Sequence, residues 1–126
     1  GVFSEHTLEH LYPFESIRLL KEIHRVLAVG GVLRITVPDL DKYINACTNS
    51  KSEFFLQFDN NCEMIWSLTQ NYLHLSVWNY EMLKLQLEIC GFNKISKTEF
   101  NKGSNLELLL DKKERKPETL YVEAIK

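Results

Sequence analysis

The sequence is short of cysteine, proline and glycine, and each shortage excludes something. Its three cysteines, Cys47, Cys62 and Cys90, stand far apart with no Cys-x-x-Cys pair. An odd, dispersed set argues against a disulfide framework and for reduced thiols in an intracellular protein. Five glycines leave no Gly-x-Gly-x-x-Gly anywhere in the 126 residues. The phosphate-cradling turn of doubly wound nucleotide folds is therefore not in this sequence. No apolar run approaches the roughly 20 residues of a membrane span, and no charged-then-apolar signal opens the chain. The expectation is a cytoplasmic protein with no membrane partner. Neither sign of charge dominates: 15 Lys and Arg face 17 Asp and Glu, for a net charge of -2. The densest basic run, Lys112-Lys113-Glu114-Arg115-Lys116, contains an acid and precedes Pro117. It reads as a solvated loop, and nucleic acid is not an expected partner.

What is present fits one soluble domain over residues 1–126, 44% hydrophobic and 25% charged. The chain is organised around Ala28-Val29-Gly30-Gly31-Val32-Leu33-Arg34-Ile35-Thr36-Val37-Pro38-Asp39. This reads as a helix end, a double-glycine turn, one buried strand and a stop at Pro38. Before it, Pro13 suits the first turn of a helix. Leu19, Leu20, Ile23, Val26 and Leu27 repeat at three and four along its buried stripe. Gly30 is placed to end that helix in the left-handed conformation. In the strand, Leu33, Ile35 and Val37 share an apolar face, and Val32, Arg34 and Thr36 a half-polar one. Arg34 either binds an anionic group or reaches outward. Asp39 is a good N-cap for a helix running to about Cys47.

Further on, residues 49–52 read as a linker. Residues 53–72 read as one or two helices broken near Asp59-Asn60-Asn61. Their aromatics, Phe54 to Trp66, read as core, with a lid as the other reading. Ser76 can cap a broadly apolar helix ended by Gly91, with Phe92 as its hydrophobic contact. Residues 93–100 carry Lys94 and Lys97, as an edge strand does. A long loop precedes the last, alternating strand, 120–125, which should pair antiparallel with that edge strand.

In this order the elements resemble a known family. Ser4-Glu5-His6-Thr7-Leu8-Glu9-His10-Leu11, then Arg25-Val26-Leu27 before Gly30-Gly31, then Val37-Pro38-Asp39 and Cys90-Gly91-Phe92, are similar to the C-terminal portion of class I S-adenosylmethionine-dependent methyltransferases. The resemblance covers about residues 2–48 and 74–126. It implies a partial Rossmann-like α/β sheet: two parallel strands, the first a stub, an antiparallel C-terminal pair and about four helices. It also implies S-adenosylmethionine as cofactor and a small-molecule acceptor. The glycine-rich turn and the ribose-binding acid of the family are not in these residues. The expectation is thus a fragment lacking its N-terminal cofactor-binding strands. The alternative to methyl transfer is a catalytically silent chain that folds as a homodimer through its exposed N-terminal sheet edge.

Site expectations follow. Ser4, Glu5 and His6 lie where a parallel strand runs out, the place where open α/β sheets bind ligands. The resemblance puts them near the cofactor. His6 can act as a general base on an acceptor hydroxyl or amine; its other reading is a solvated surface turn. Pro38 and Asp39 end the next strand and, with His74 and Trp78, are the substrate-side candidates, together with Tyr80. For Asp39 alone, helix capping is the other role. His6-Thr7-Leu8-Glu9-His10 also matches His-x-x-Glu-His, an inverted zinc-protease motif. That chemistry needs His6 and His10 on one helical face, yet Pro13 places the helix start just after them. By resemblance, some quinone-biosynthesis methyltransferases bind a divalent cation at an acid-x-x-Glu-His turn here, but His6 stands where the acid should be. Glu9 and His10 read instead as caps of the next helix, and no metal centre is expected.

Overall fold

A computed structural model describes residues 1–49 and 52–126. The expected linker 49–52 falls partly outside them. Four strands form one sheet: β1 (Val2–Glu5), β2 (Val32–Pro38), β3 (Asn93–Thr98) and β4 (Thr119–Ile125). Their spatial order is β1-β2-β4-β3. β1 runs parallel to β2, with Val2 beside Leu33 and Glu5 beside Thr36. β4 is antiparallel to both β2 and β3. The helices are α1 (Pro13–Val26), α2 (Leu40–Thr48), α3 (Asn61–Thr69) and α4 (Tyr80–Ile89). The partial Rossmann-like sheet implied by the resemblance is therefore present. No helix among the described residues is long and apolar enough to cross a membrane.

The register explains the two faces of the sheet. Leu33, Ile35 and Val37 lie opposite Ala124, Val122 and Leu120. All six are fully buried and join Leu20, Ile23, Leu27, Leu83 and Leu87 in the main core. Arg34 and Thr36 lie opposite Glu123 and Tyr121 on the other face. There the 99–118 loop folds back as a polar cover. Arg34 is completely buried; its Nε donates to Asp111 at 2.9 Å, and its terminal nitrogens reach Asp111, Glu123, Thr98 and the carbonyls of Glu99 and Lys102. Arg34 thus neither awaits an anion nor reaches out, because the chain supplies its partners. A Cβ on Gly103 would come within 2.0 Å of Glu123 Oε1, so only glycine lets the loop approach this closely.

Local signals act mostly as expected, with four corrections. Pro13 opens α1, but the helix stops at Val26, and Leu27 is extended. Gly30 has a φ of +77° in the turn that starts β2, where Gly31 N donates to Ala28 O at 2.8 Å. It serves that turn and does not cap the helix. Val26 is exposed and is no part of the buried stripe. Asp39 caps α2 by accepting from Asp41 N. α4 is capped by Asn79 and not by Ser76. At its other end Gly91 takes a φ of +97°. Gly91 N donates to Glu88 O and Phe92 N to Leu87 O, with Phe92 buried as the accompanying contact. A second, small core joins α2 and α3 through Tyr43, Ala46, Met64 and Leu68, with Phe54, Phe55 and Phe58 against it. Those aromatics are core, whereas Trp66 is exposed.

Candidate functional site

The site begins where β1 ends. His6 adopts a left-handed φ of +47°, and its N–H still donates to Thr36 O at 2.9 Å. The chain then leaves the sheet in a single 3-10 turn, Leu8–His10. Leu8 plugs the main core with no exposed surface. Its carbonyl accepts from both Ser16 Oγ and Ser76 Oγ. The carbonyl of Glu9 accepts from Leu75 N at 2.6 Å and from Ser76 N. Trp78 Nε1 in turn donates to Ser76 Oγ at 2.9 Å. These bonds clamp the segment before α4 onto the turn after β1. They bring the His10 and His74 rings together edge to face, 4.9 Å between centroids.

A cavity of about 530 Å³ opens beside this clamp, lined by His6, His10, His74, Phe54, Phe58, Tyr72, Arg115 and Glu118 among others. Its walls hold aromatic surface and groups of both signs. The Glu118 carboxylate accepts from the Tyr43 hydroxyl at 2.9 Å. Burial, and then the Glu118 charge, push that hydroxyl far above the ordinary tyrosine range.

The ring of His6 is committed on both sides. Arg115 can only donate, so the 3.1 Å contact from its guanidinium makes Nδ1 an acceptor. Thr119 Oγ1 spends its proton on Arg115 O, so it accepts from Nε2–H at 2.8 Å. These contacts place a ring proton on Nε2, toward Thr119. Its side chain is 5% exposed, which rules out a solvated turn. Glu5 is also tied down, accepting from Lys112 N at 2.9 Å. Ser4 is paired beside Ile35 within the sheet.

The remaining candidates separate. His74 lines the cavity with His6. Pro38 pairs with Thr119 inside the sheet. Asp39, besides capping α2, forms an ion pair with Lys97 at 3.4 Å. Trp78 is a core residue, bridged to Asp39 through the backbone. Tyr80 packs against the same core. Pro38, Asp39 and Trp78 therefore brace the site, and none is among the cavity's lining residues. Sequence reasoning missed Arg115, which leaves the run read as a solvated loop to reach His6. Its only trace was its charge.

A second hollow of about 460 Å³ is lined by Lys42, Lys97, Lys102 and Lys116. Three of these ammonium groups are already engaged: Lys42 by the Thr119 carbonyl, Lys97 by Asp39 and Lys102 by Glu99. Lys116 lies over the Phe100 ring. It is a stitched surface and no open anion site.

No protein family and no curated protein matches the sequence. Among solved structures, the chain is similar to a SAM-dependent methyltransferase from Archaeoglobus fulgidus, with a TM-score of 0.60 and 21% identity. The fold is class I methyltransferase-like. The match takes in the whole of this chain and 58% of that protein, so the chain spans little more than half its length. The fit of these residues to S-adenosylmethionine is partial. The cavity lies beside the end of β1, but Glu5 and His6 already have partners, and the 126 residues contain no glycine-rich turn.

Proposed function

We propose that the chain takes part in S-adenosylmethionine-dependent methyl transfer to a small-molecule acceptor, and that the cavity beside His6 and His74 holds the acceptor. The observation that carries this reading is the position of the cavity, immediately past the C-terminal end of a parallel strand in a methyltransferase-like sheet. The cofactor would supply the methyl group; because its fit is partial, no step is derived through it. What the chain's own residues offer is positioning. The aromatic wall of Phe54, Phe58 and Tyr72 suits an apolar acceptor body. In this reading Ser4, Glu5 and His6, at the end of β1, are the residues assigned to the cofactor. For His6 to take a proton from an acceptor hydroxyl or amine, Nδ1 must first exchange its Arg115 donor for the acceptor's O–H or N–H.

The test is calorimetric titration of S-adenosylmethionine into the folded chain, followed by label transfer to a panel of small acceptors. Micromolar binding that weakens in His6→Ala supports the proposal. A folded chain that binds none contradicts it.

A second reading, self-association through β1, is favoured by the sheet order alone. β1 is an edge strand, with one side unpaired among the described residues. Solution mass decides it: a dimer that Val2→Pro dissociates supports this reading, and a clean monomer removes it.

A further inference from the structure

We propose that Glu9, His10 and His74 form a binding site for a divalent cation of the zinc class, with its open position toward the cavity. This is independent of methyl transfer. One ligand atom from each residue can be chosen so that all three lie within 4.8 Å of one another.

The first argument is Glu9. It is 1% exposed, and neither carboxylate oxygen has a hydrogen-bond partner among the described residues. Leaving a buried carboxylate without donors is costly, so such groups normally have a partner. The histidines nearby do not provide one. His6 Nδ1 is 3.3 Å from Oε1, but it accepts from Arg115 and has no proton to give. His10 Nε2 is 3.9 Å away, beyond hydrogen-bond reach. A cation is a partner that would satisfy both oxygens' demand for positive charge without a proton.

The second argument is the His74 tautomer. Its Nδ1 lies 2.7 Å from the Leu68 carbonyl, which can only accept. Nδ1 therefore donates to that carbonyl, and Nε2 is the ring nitrogen left to ligate. A backbone carbonyl fixing one ring nitrogen so that the other can ligate is the usual outer shell of a metal-binding histidine. The third argument is placement. Glu9 and His74 are 65 residues apart, and the clamp from Leu75 N and Ser76 N to Glu9 O holds them side by side. His10 is exposed and free to turn.

Two imidazoles, one carboxylate and an open fourth position form the donor set of catalytic zinc sites. Tetrahedral bonds of about 2.1 Å need ligand atoms about 3.4 Å apart. Of the three, only the exposed His10 side chain has to turn to draw the set together; Glu9 and His74 keep the positions that the clamp and the Leu68 carbonyl give them. The site is not the one the His-x-x-Glu-His pattern suggests. His6 is occupied by Thr119 and Arg115, Glu9 becomes a ligand where the motif makes it a base, and His74 enters from a distant segment. Hard, oxygen-seeking cations such as magnesium fit this nitrogen-rich set poorly.

Zinc chloride titrated into the chelator-stripped chain tests the proposal, on a Cys62→Ser background because that thiol is exposed. One equivalent should bind, with magnesium at least tenfold weaker. Glu9→Gln and His74→Ala should each weaken zinc by about tenfold or more. Both should keep the parent's far-UV circular dichroism and metal-free melting curve, since His74 is only half-buried and Gln preserves shape. Zinc binding that survives both substitutions overturns the proposal, as does a folded chain that takes up none. A preference for magnesium overturns the zinc class.

Discussion

Asp111 and Glu123 on the polar face of the sheet, and Glu9 at the end of β1, are all buried carboxylates, but only the first two are supplied with donors. Asp111 receives Arg34 and Asn101 N, and Glu123 receives Arg34 together with Ser104 N and Oγ. Every donor comes from β2 or the loop that covers it. Around Glu9 the nearby groups are histidines whose protons point elsewhere or that stand too far off. Burial alone does not distinguish a structural charge from a functional one. The completeness of the partner set does: a finished cluster locks the fold, and an unfinished one has capacity for a ligand.

Substitutions can break this contrast. Arg34→Met should have the largest effect. It strands two buried carboxylates and should cost about 3–5 kcal/mol in urea unfolding. A cost below about 1 kcal/mol would mean that the cluster is not what holds the loop down. Alkali should attack the same face next. Burial, and the Asp111 charge after it, push the Tyr121 hydroxyl up to about 12. An unfolded tyrosine titrates near 10. Between those values the unfolded chain has lost the proton that the folded one keeps, so stability present below pH 10 falls as the pH rises toward 12. Urea midpoints at pH 9 and 11 should show the loss, and Tyr121→Phe should shrink it.

Smaller effects sharpen the contrast. Ser104→Ala removes one donor to Glu123 and should cost about 1 kcal/mol. Glu9→Gln, without metal, should leave stability unchanged within about 1 kcal/mol or raise it, because no donor is lost when the charge goes. A loss as large as that of Arg34→Met would reveal a structural role for the Glu9 carboxylate and reverse the comparison.

How far this was legible in the sequence follows the range of each signal. The Gly30-Gly31 turn, the β2 alternation, the Asp39 cap and the Gly91-Phe92 ending are local, and each could be read from adjacent residues. The ordered set of such signals also carried the resemblance that the fold bears out. The α4 cap was ambiguous because Ser76 and Asn79 are both good caps. Ser76 is taken by the Leu8 carbonyl, a contact 68 residues away. Arg34 looked like a free charge because its partners lie beyond residue 97. His6 and His74, both singled out from the sequence, line one cavity. Their grouping with Glu9, His10 and Arg115 was not legible, since it rests on tertiary bonds between segments without a shared pattern.

The measurement that reaches the centre of this account is zinc X-ray absorption on the chain loaded with one equivalent. The account predicts a first shell of nitrogen and oxygen at about 2.0–2.1 Å, with two imidazoles, lost in His74→Ala. A shell containing sulfur at about 2.3 Å, or one that His74→Ala leaves unchanged, would contradict it.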